Sequence, residues 1–433
     1  MINSKFRAII IGGGPVGLAI ANGLDRAGLD FLLVERHPTM TTDSGAGIMV
    51  WPHTTRIFDQ LGIVDACKDR FITVHAKTTT RLDGTPFRTS SIFDFLSDNH
   101  GYQCMNFPRP LLIQTLHEGL GANSAKVRTG ASIDNIETTE KGVRVQLSDG
   151  SVEEGSIVIG ADGVHSKTRD IMQRLAEEAG RGFLKEEQPI VSNYQIMYGR
   201  AKYIPSAPIG TFYETHGTNM SSQISANKDR MHFGIYRKLP KPTTDLKKEY
   251  NKDEVAEFVE AFSDVMVMPN LSFAEVYKNA EWTRLVNQHE GLVKHWHYDR
   301  VVLAGDSCSV MTSAAGMGVN NGIQSGVVLV NKLYELLSKN PDPDTKAIGR
   351  AFEEYQNIRR EESRLQCDIA AKMIRINTWD SYMTRFLGDV VFPWLIPDEK
   401  IIAKFGTDVL RAMHKFNFIQ GDLKDGKIPW TTS

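Results

Sequence analysis

The spacing of apolar residues changes along this chain, and each change predicts a different kind of element. Phe6–Ile11 is an unbroken apolar run, the pattern of a strand buried on both faces. From Pro15 onward, Val16, Ile20, Leu24 and Ala27 recur at helical spacing, and Gly28 stops the helix. Asp30–Glu35 is a second short apolar strand, which completes a βαβ unit. Between about 185 and 295 the period drops to two, as in Ile196-Met197-Tyr198 and from Met231 to Tyr236, with a polar interruption at Lys241–Glu254. This predicts an antiparallel sheet with one face over a cavity, inserted into the first fold. A buried strand pattern returns at Val301–Ala304. Ile323, Val327, Val330 and Leu333 then predict a helix over Gly318–Ser338. The last hundred or so residues read as mostly helical, with a charged, exposed face at Arg359–Arg364.

The turn between the first strand and helix is Gly12-Gly13-Gly14-Pro15-Val16-Gly17, a G-x-G-x-x-G. Gly12 permits the tight turn, Gly14 lets the backbone approach a pyrophosphate, and Gly17 allows close helix–strand packing. The helix N-terminus presents unpaired N–H groups and partial positive charge to that anion. Glu35 ends the second strand, where it can accept hydrogen bonds from a ribose. A glycine-rich turn alone is weak evidence; strand, helix and acid in the right order strengthen it.

Two later loops narrow the reading. Ile157–Ile159 leads into Gly160-Ala161-Asp162-Gly163-Val164-His165-Ser166, followed by Arg169. Val301–Ala304 leads into Gly305-Asp306-Ser307, and Gly316-x-Gly318-x-Asn320 opens the long helix. Together with Gly45-Ala46-Gly47-Ile48, Arg109 with Leu112 and Leu116, and Trp296 with Arg300, these motifs span nearly the whole chain. The chain resembles the single-component flavin monooxygenases of the p-hydroxybenzoate hydroxylase type, in particular the fungal FAD-dependent enzymes of meroterpenoid and indole-diterpene secondary metabolism.

That resemblance implies an α/β fold: a Rossmann-type FAD-binding domain with an inserted antiparallel β-sheet substrate domain and a helical C-terminal segment. The expected divisions are 1–184 and 296–375 for the two parts of the FAD domain, 185–295 for the substrate sheet and 376–433 for the helical segment. It also implies FAD as cofactor and NAD(P)H as a transient reductant, in keeping with the lack of a second G-x-G-x-x-G. Gly12, Gly14, Pro15, Val16 and Gly17 would hold the pyrophosphate, Glu35 with Arg36 the adenosine side, and Arg109 the phosphate and ribityl region. Gly47, Ile48, Asp162 and Gly163 would border the cofactor, Asp306 would bind ribityl hydroxyls, and Gly316, Gly318, Val319 and Asn320 would bring N–H groups to the flavin. A helix N-terminus there suits the negative charge of reduced flavin. The plain alternatives are loop caps for Asp162 and Asp306, a surface ion pair for Arg109 and an ordinary strand-end acid for Glu35.

In this family O2 adds at flavin C4a, and the hydroperoxide hydroxylates or epoxidises the substrate. Either reaction draws on a nearby proton donor or base. Tyr194, Tyr198, Arg200 and Tyr236 in the middle sheet are the catalytic candidates, each with packing as its alternative role. Phe212, Tyr213, Met220, Phe233 and Tyr236 are expected to line the cavity, favouring a small but bulky hydrophobic substrate, prenylated, polycyclic or aromatic. The chain departs from the family at Ser309 and Ser313, where relatives usually carry His and Pro. Losing that proline predicts a looser loop. It leaves open an FAD-dependent oxidase, or an FAD-bound cyclase with no net redox turnover.

Composition adds mainly exclusions. With 50 Lys+Arg against 52 Asp+Glu in 433 residues, the net charge of −2 argues against a nucleic-acid partner. Cys67, Cys104, Cys308 and Cys367 show neither disulfide-ladder nor zinc spacing. His295-Trp296-His297 has no nearby acid cluster, and no metal is expected. The N-terminus does not read as a signal peptide, and the longest apolar stretches fall short of the roughly 20 residues of a membrane span. Val390–Ile396, broken by Pro393, reads as a core or lid segment. A cytoplasmic location, or one peripheral to an intracellular membrane, is the expectation.

Overall fold

In the computed structural model, residues 6–41, 45, 47–183, 187, 189–392, 400 and 407–431 are described. The first βαβ unit forms as its pattern predicts: strand Arg7–Ile11, helix Pro15–Arg26 and strand Asp30–Glu35. Gly28 closes the helix at φ +69°, and the Leu29 N–H reaches back to the Leu24 carbonyl at 2.9 Å. These strands sit inside a six-stranded sheet in the order His297–Tyr298, Val301–Leu303, Ile157–Gly160, Arg7–Ile11, Asp30–Glu35, Val127–Thr129. All its neighbours run parallel except the first pair. Their side chains are buried because helices cover both faces, which is why these strands read as continuous apolar runs.

The middle sheet has eight strands: Ser309–Val310, Ala280–Leu292, Val191–Lys202, Arg230–Thr243, Met220–Ala226, Thr211–Gly217, Ala76–Thr80 and Pro86–Ser90. It is antiparallel apart from the Thr211–Gly217 pairing with Ala76–Thr80. The sheet therefore reaches beyond 185–295, taking two strands from 76–90 and a short one from the loop at 309. Hydrophobic period alone does not show such long-range pairing. Helix Lys252–Phe262, started by an Asn251–Glu254 capping box, packs Phe258 and Phe262 on the back of the sheet. Tyr213 and Met220 fall in that back cluster with Val267 and Leu271. They were expected on the cavity wall, but strand alternation turns them to the other face.

Helix Gly318–Lys339 buries Ile323, Val327, Val330 and Leu333 against the core, as their spacing predicts. Helix Thr345–Asn377 corrects the charged face expected at Arg359–Arg364. Arg359 has a fully buried side chain. Its Nη2 donates to the Asn321 carbonyl oxygen at 3.1 Å and to Asn321 Oδ1, its Nε donates to Ser325 Oγ at 3.3 Å, and Glu362 balances its charge. A guanidinium with this many acceptors can leave solvent, whereas Arg364 stays outside, paired with Glu361. Among the described residues no helix is long and apolar enough to cross a membrane. Residues 393–396 of the stretch expected to be a core or lid lie outside the described residues.

Arg359→Ala leaves Glu362 and the Asn321 groups without their partner. The expected loss is about 3–5 kcal/mol of folding stability, as for one half of a buried ion pair, read as a lower thermal unfolding midpoint. Arg364→Ala, at the surface, is expected to change stability by under about 1 kcal/mol.

Candidate active site

The cleft begins where three segments meet with no room for side chains. Gly12 has φ +108°, and a Cβ there would lie 2.4 Å from the Ala161 carbonyl oxygen. A Cβ on Gly17 would lie 1.9 Å from the Gly12 carbonyl oxygen, so helix Pro15–Arg26 presses onto the turn itself. Beyond Gly14 a Cβ would meet nothing within 4 Å, and this open side is where a pyrophosphate would approach. Gly14 is the helix N-cap with extended backbone, and no side chain caps the helix. Glu35 closes the turn: its Oε2 accepts from the Gly13 N–H at 2.7 Å and its Oε1 from the His37 N–H at 2.9 Å.

The second helix end arrives from the other half of the domain. Gly305 and Gly322 both pack on Val16, with Cβ positions 3.1 Å and 2.5 Å from its side chain. This brings the Asp306 loop and the start of helix Gly318–Lys339 beside the glycine turn. That helix also lacks a side-chain cap, and Gly318 and Val319 at its start are part-buried. Asn320 is fully engaged elsewhere: its amide accepts from the Trp51 N–H at 2.9 Å and donates to the Met49 and Gly316 carbonyls, both at 2.8 Å. It locks the strand Gly47–Val50 against the helix.

The two loop aspartates differ. Asp162 is used by its own loop, accepting from Ser166 Oγ at 2.5 Å and from the Thr168 N–H and Oγ1, both at 3.0 Å. It sets the start of helix Lys167–Glu178, while Gly163 turns the backbone at φ +81°. Asp306 has no hydrogen-bond partner for its carboxylate among the described residues. Its side chain is exposed in the cleft, with protein crowded around the opening. That crowding pushes its carboxyl up to about 6, against the opposing pull of Arg109. An unpartnered carboxylate, an arginine, two uncapped helix ends and an open glycine cradle fit a pyrophosphate- and ribityl-bearing cofactor. Arg36 is exposed just past Glu35, and Ile48 packs on the core. Ala46 lies outside the described residues.

Beside the cleft is a cavity of about 150 Å³, open at its mouth. Trp51, Phe93, Ile196, Phe212 and Met373 form much of its apolar wall, and Phe233, whose ring packs on Phe273 in the back cluster with Tyr213, only borders it. Gly47 and Gly316 line it too, and Gly316 lies just before the start of helix Gly318–Lys339, so the cavity reaches that helix end. Of the catalytic candidates, Tyr198 and Tyr236 face the cavity. Burial raises the Tyr198 hydroxyl pKa, while Arg284 and Arg109 draw it down. Tyr194 is fully buried with Ala314 and Ile374, with Arg375 over its ring, and does not line the cavity. Arg200 is engaged by Glu281 at 2.9 Å and does not line it either.

Tyr236 is held by its neighbours. The Gln223 amide nitrogen donates to Glu214 Oε1 at 2.8 Å and to the Ala314 carbonyl at 2.7 Å, which fixes that amide's orientation. Gln223 Oε1 must then accept, and it does so from the Tyr236 hydroxyl at 3.1 Å. Ser313 Oγ sits 2.9 Å from the same hydroxyl. Gln288 Oε1 accepts from the Ser313 N–H at 2.9 Å, and the single Ser313 hydroxyl proton goes either to Gln288 Oε1 or to the Tyr236 oxygen, each 2.9 Å away. A proline at 313 could not make these bonds, so they replace the stiffness that proline would supply. Ser309 is buried away from the cleft, accepting from Asn321 Nδ2 at 3.2 Å.

Residue patterns did not reveal the charged group in the cavity wall. Glu214 is fully buried; burial would raise its carboxyl pKa, but the Lys77 charge and a hydrogen bond from His216 outweigh this and hold it well below the usual range. Its Oε2 takes Lys77 and His216, and its Oε1 takes Gln223 and Asn377. The available sequence signal was a lone acid within the apolar strand Thr211–Gly217. Its partner lies on a strand more than a hundred residues earlier.

The family model for the FAD binding domain matches residues 5–345. An FAD-dependent monooxygenase of Neurospora crassa, srdH, is 33% identical, covering 98% of each chain. The FAD-dependent monooxygenase ausM of Penicillium brasilianum is 29% identical over 91% of this chain and 84% of its own. Among solved structures, Klebsiella pneumoniae HpxO complexed with FAD and uric acid is similar at TM-score 0.75 and 21% identity, covering 94% of this chain and 96% of its own. The Pseudomonas putida p-nitrophenol 4-monooxygenase PnpA is similar at TM-score 0.75 and 16% identity, over 93% and 97%. The chain belongs to the FAD-binding domain family alongside these fungal monooxygenases, and it is an FAD-dependent oxidoreductase.

Proposed function

We infer that the chain is a monooxygenase that uses NAD(P)H and O2 to hydroxylate or epoxidise a bulky, largely apolar secondary metabolite. The observation carrying this reading is the aromatic-walled cavity that reaches, at Gly316, the start of helix Gly318–Lys339. A substrate there would meet the edge of the cofactor against a largely apolar wall. FAD supplies the redox and oxygen chemistry; the chain binds, orients and protonates. Gly12, Gly14 and the start of helix Pro15–Arg26 would hold the pyrophosphate, Asp306 and Arg109 the ribityl side, and helix Gly318–Lys339 the electron-rich edge of the ring.

Tyr198 is the proton donor of choice, since it faces the cavity between Arg109 and Arg284 and stays neutral. Tyr236 is a positioning residue, because its proton is directed to Gln223. A transient anionic reductant suits the cations around His165, whose pKa is lowered first by burial and then by Arg36, Arg169, Lys247 and Arg284. The oxidase and cyclase alternatives rested on Ser309 and Ser313 standing where relatives carry His and Pro. The Gln288 and Tyr236 bonds leave the loop at Ser313 fastened, so they favour the monooxygenase reading.

Asp306→Asn separates binding from stability. A carboxyl raised to about 6 in the folded protein, against about 4 unfolded, costs stability once pH rises through that window and costs nothing below it. The FAD-free variant is therefore expected to unfold at a higher temperature than wild type at pH 8, with the gain vanishing near pH 4. At pH 8 its FAD affinity is expected to fall by about tenfold or more, through loss of charge-assisted hydrogen bonds. An unchanged flavin dissociation constant refutes the assigned role.

The function itself is tested by reducing the FAD-loaded protein anaerobically with NADPH or NADH, then admitting labelled O2 in the presence of prenylated or polycyclic aromatic compounds. Label in a product is the expected result; reduction-independent product formation would support a cyclase. Tyr198→Phe should leave the flavin reduction rate unchanged and lower product formed per NADPH by about 100-fold, in the range of a lost general acid.

A further inference from the structure

Among the described residues many of the cavity's polar side chains are bonded within the protein, though His232 Nδ1 is not, and one charged group among them identifies how a substrate is held. Gln223 uses both ends of its amide on Glu214, Ala314 and Tyr236. Tyr236 donates to Gln223, and Ser313 gives its hydroxyl proton to Tyr236 or to Gln288. Asn106 Nδ2 donates to Ser225 Oγ at 2.8 Å. Glu214 receives four side-chain donors, two on each oxygen, so it stays ionised and has little capacity left to act as a base.

Lys77 is different. Its ammonium carries three donors and pairs with Glu214, and the side chain keeps 16% exposure where it lines the cavity. The strand pairing that brings Lys77 opposite Phe212 sets it beside an aromatic wall. A pair needed only for folding would be expected away from any cavity; this one lies in the wall of a largely apolar chamber.

The charge balance then decides what accepts from Lys77. Glu214 already neutralises the ammonium, so a carboxylate accepting from Lys77 would lie against the ionised Glu214 carboxylate, and like charges that close repel. An uncharged carbonyl oxygen accepts the same hydrogen bond and leaves the balance intact. We propose that Lys77, held in place by Glu214, anchors a neutral carbonyl oxygen on an otherwise apolar, polycyclic substrate, the ketone, quinone or lactone class. The proposal rests on the reading of this cavity as the substrate site of a monooxygenase, and it adds the polar group by which the substrate is selected.

The test measures ligand binding to the FAD-loaded protein through the change in flavin absorbance, using matched probes: α-tetralone against tetralin, anthrone against 9,10-dihydroanthracene, and 1-naphthoate as the anion. Wild type is expected to bind each ketone about tenfold or more tightly than its hydrocarbon, and naphthoate no better than tetralin. Glu214→Gln leaves the Lys77 charge unbalanced and is expected to reverse the order, making naphthoate the tightest ligand. Because one half of a buried pair can be needed for folding, the double variant Lys77→Met with Glu214→Gln is the second test. It is expected to keep its FAD and its hydrocarbon affinity while losing the ketone preference. Equal binding of ketone and hydrocarbon by wild type, a ketone preference that survives in the double variant, or no response to any ketone each overturns the anchor. Ketone binding that depends on Lys77 in a protein that forms no oxygenated product sinks the monooxygenase reading and leaves the anchor standing.

Discussion

Val16 is the point on which the cofactor cleft depends. It follows the helix's first residue, and the Gly305 and Gly322 backbones both close on it from the far half of the domain. Neither glycine could carry a Cβ without pushing the two halves apart; at Gly322 the atom would sit 2.5 Å from the valine. Interiors pack too densely to absorb such a displacement locally. The approach matters because it sets two uncapped helix ends and the Asp306 carboxylate around one opening. Each helix end alone is an ordinary feature. Held together at this separation, they leave N–H groups, partial positive charge and an acceptor for one extended anionic ligand to satisfy.

The same logic links cleft to cavity through the loop at 309–316. Its first residues form a short strand on the edge of the middle sheet, and its last residues lead into helix Gly318–Lys339, whose uncapped start lies beside the glycine turn. Ser309 is tied through Asn321 to the buried Arg359, and Ser313 is tied through Gln288 and Tyr236 to the sheet. The loop is thus fixed from the helix side and from the sheet side by side chains that a histidine and a proline would have displaced. Two substitutions that look like a loss of rigidity in sequence are, in three dimensions, a different way of achieving it.

What the sequence disclosed and what it hid follow from the range of the interactions. The glycine turn, Glu35, Asp306 and the helix at Gly318 lie within segments whose local pattern carries their geometry, and so they could be read in advance. Asp162 was placed correctly in its loop, but its carboxylate caps that loop, a distinction made by contacts with Ser166 and Thr168 that a motif does not encode. Arg359 was misplaced because charge alone suggests the surface; its acceptors come from a helix more than thirty residues away. Tyr213 and Met220 were misassigned by one step of strand alternation, which flips a side chain to the opposite face. Lys77 and Glu214 were invisible because a parallel pairing across 135 residues brings their strands together.

That pairing also explains why a charged couple persists in an apolar wall. Replacing a buried ion pair with well-packed hydrophobic residues is commonly neutral or stabilising, so folding alone gives weak reason to keep Lys77 and Glu214. Their surroundings are nonetheless elaborate: His216, Gln223 and Asn377 all turn donors onto one carboxylate. Those donors hold Glu214 ionised, and its charge keeps the ammonium in place without letting the cavity become cationic. Gln223 extends the arrangement to the Ala314 carbonyl, so the position of the charge pair is set by the same loop that borders the cofactor. An apolar cavity can hold many hydrocarbon skeletons in many orientations. A single fixed donor, neutral in sum and registered to the flavin loop, selects among those orientations, and orientation is what a site-selective oxidation requires of its protein.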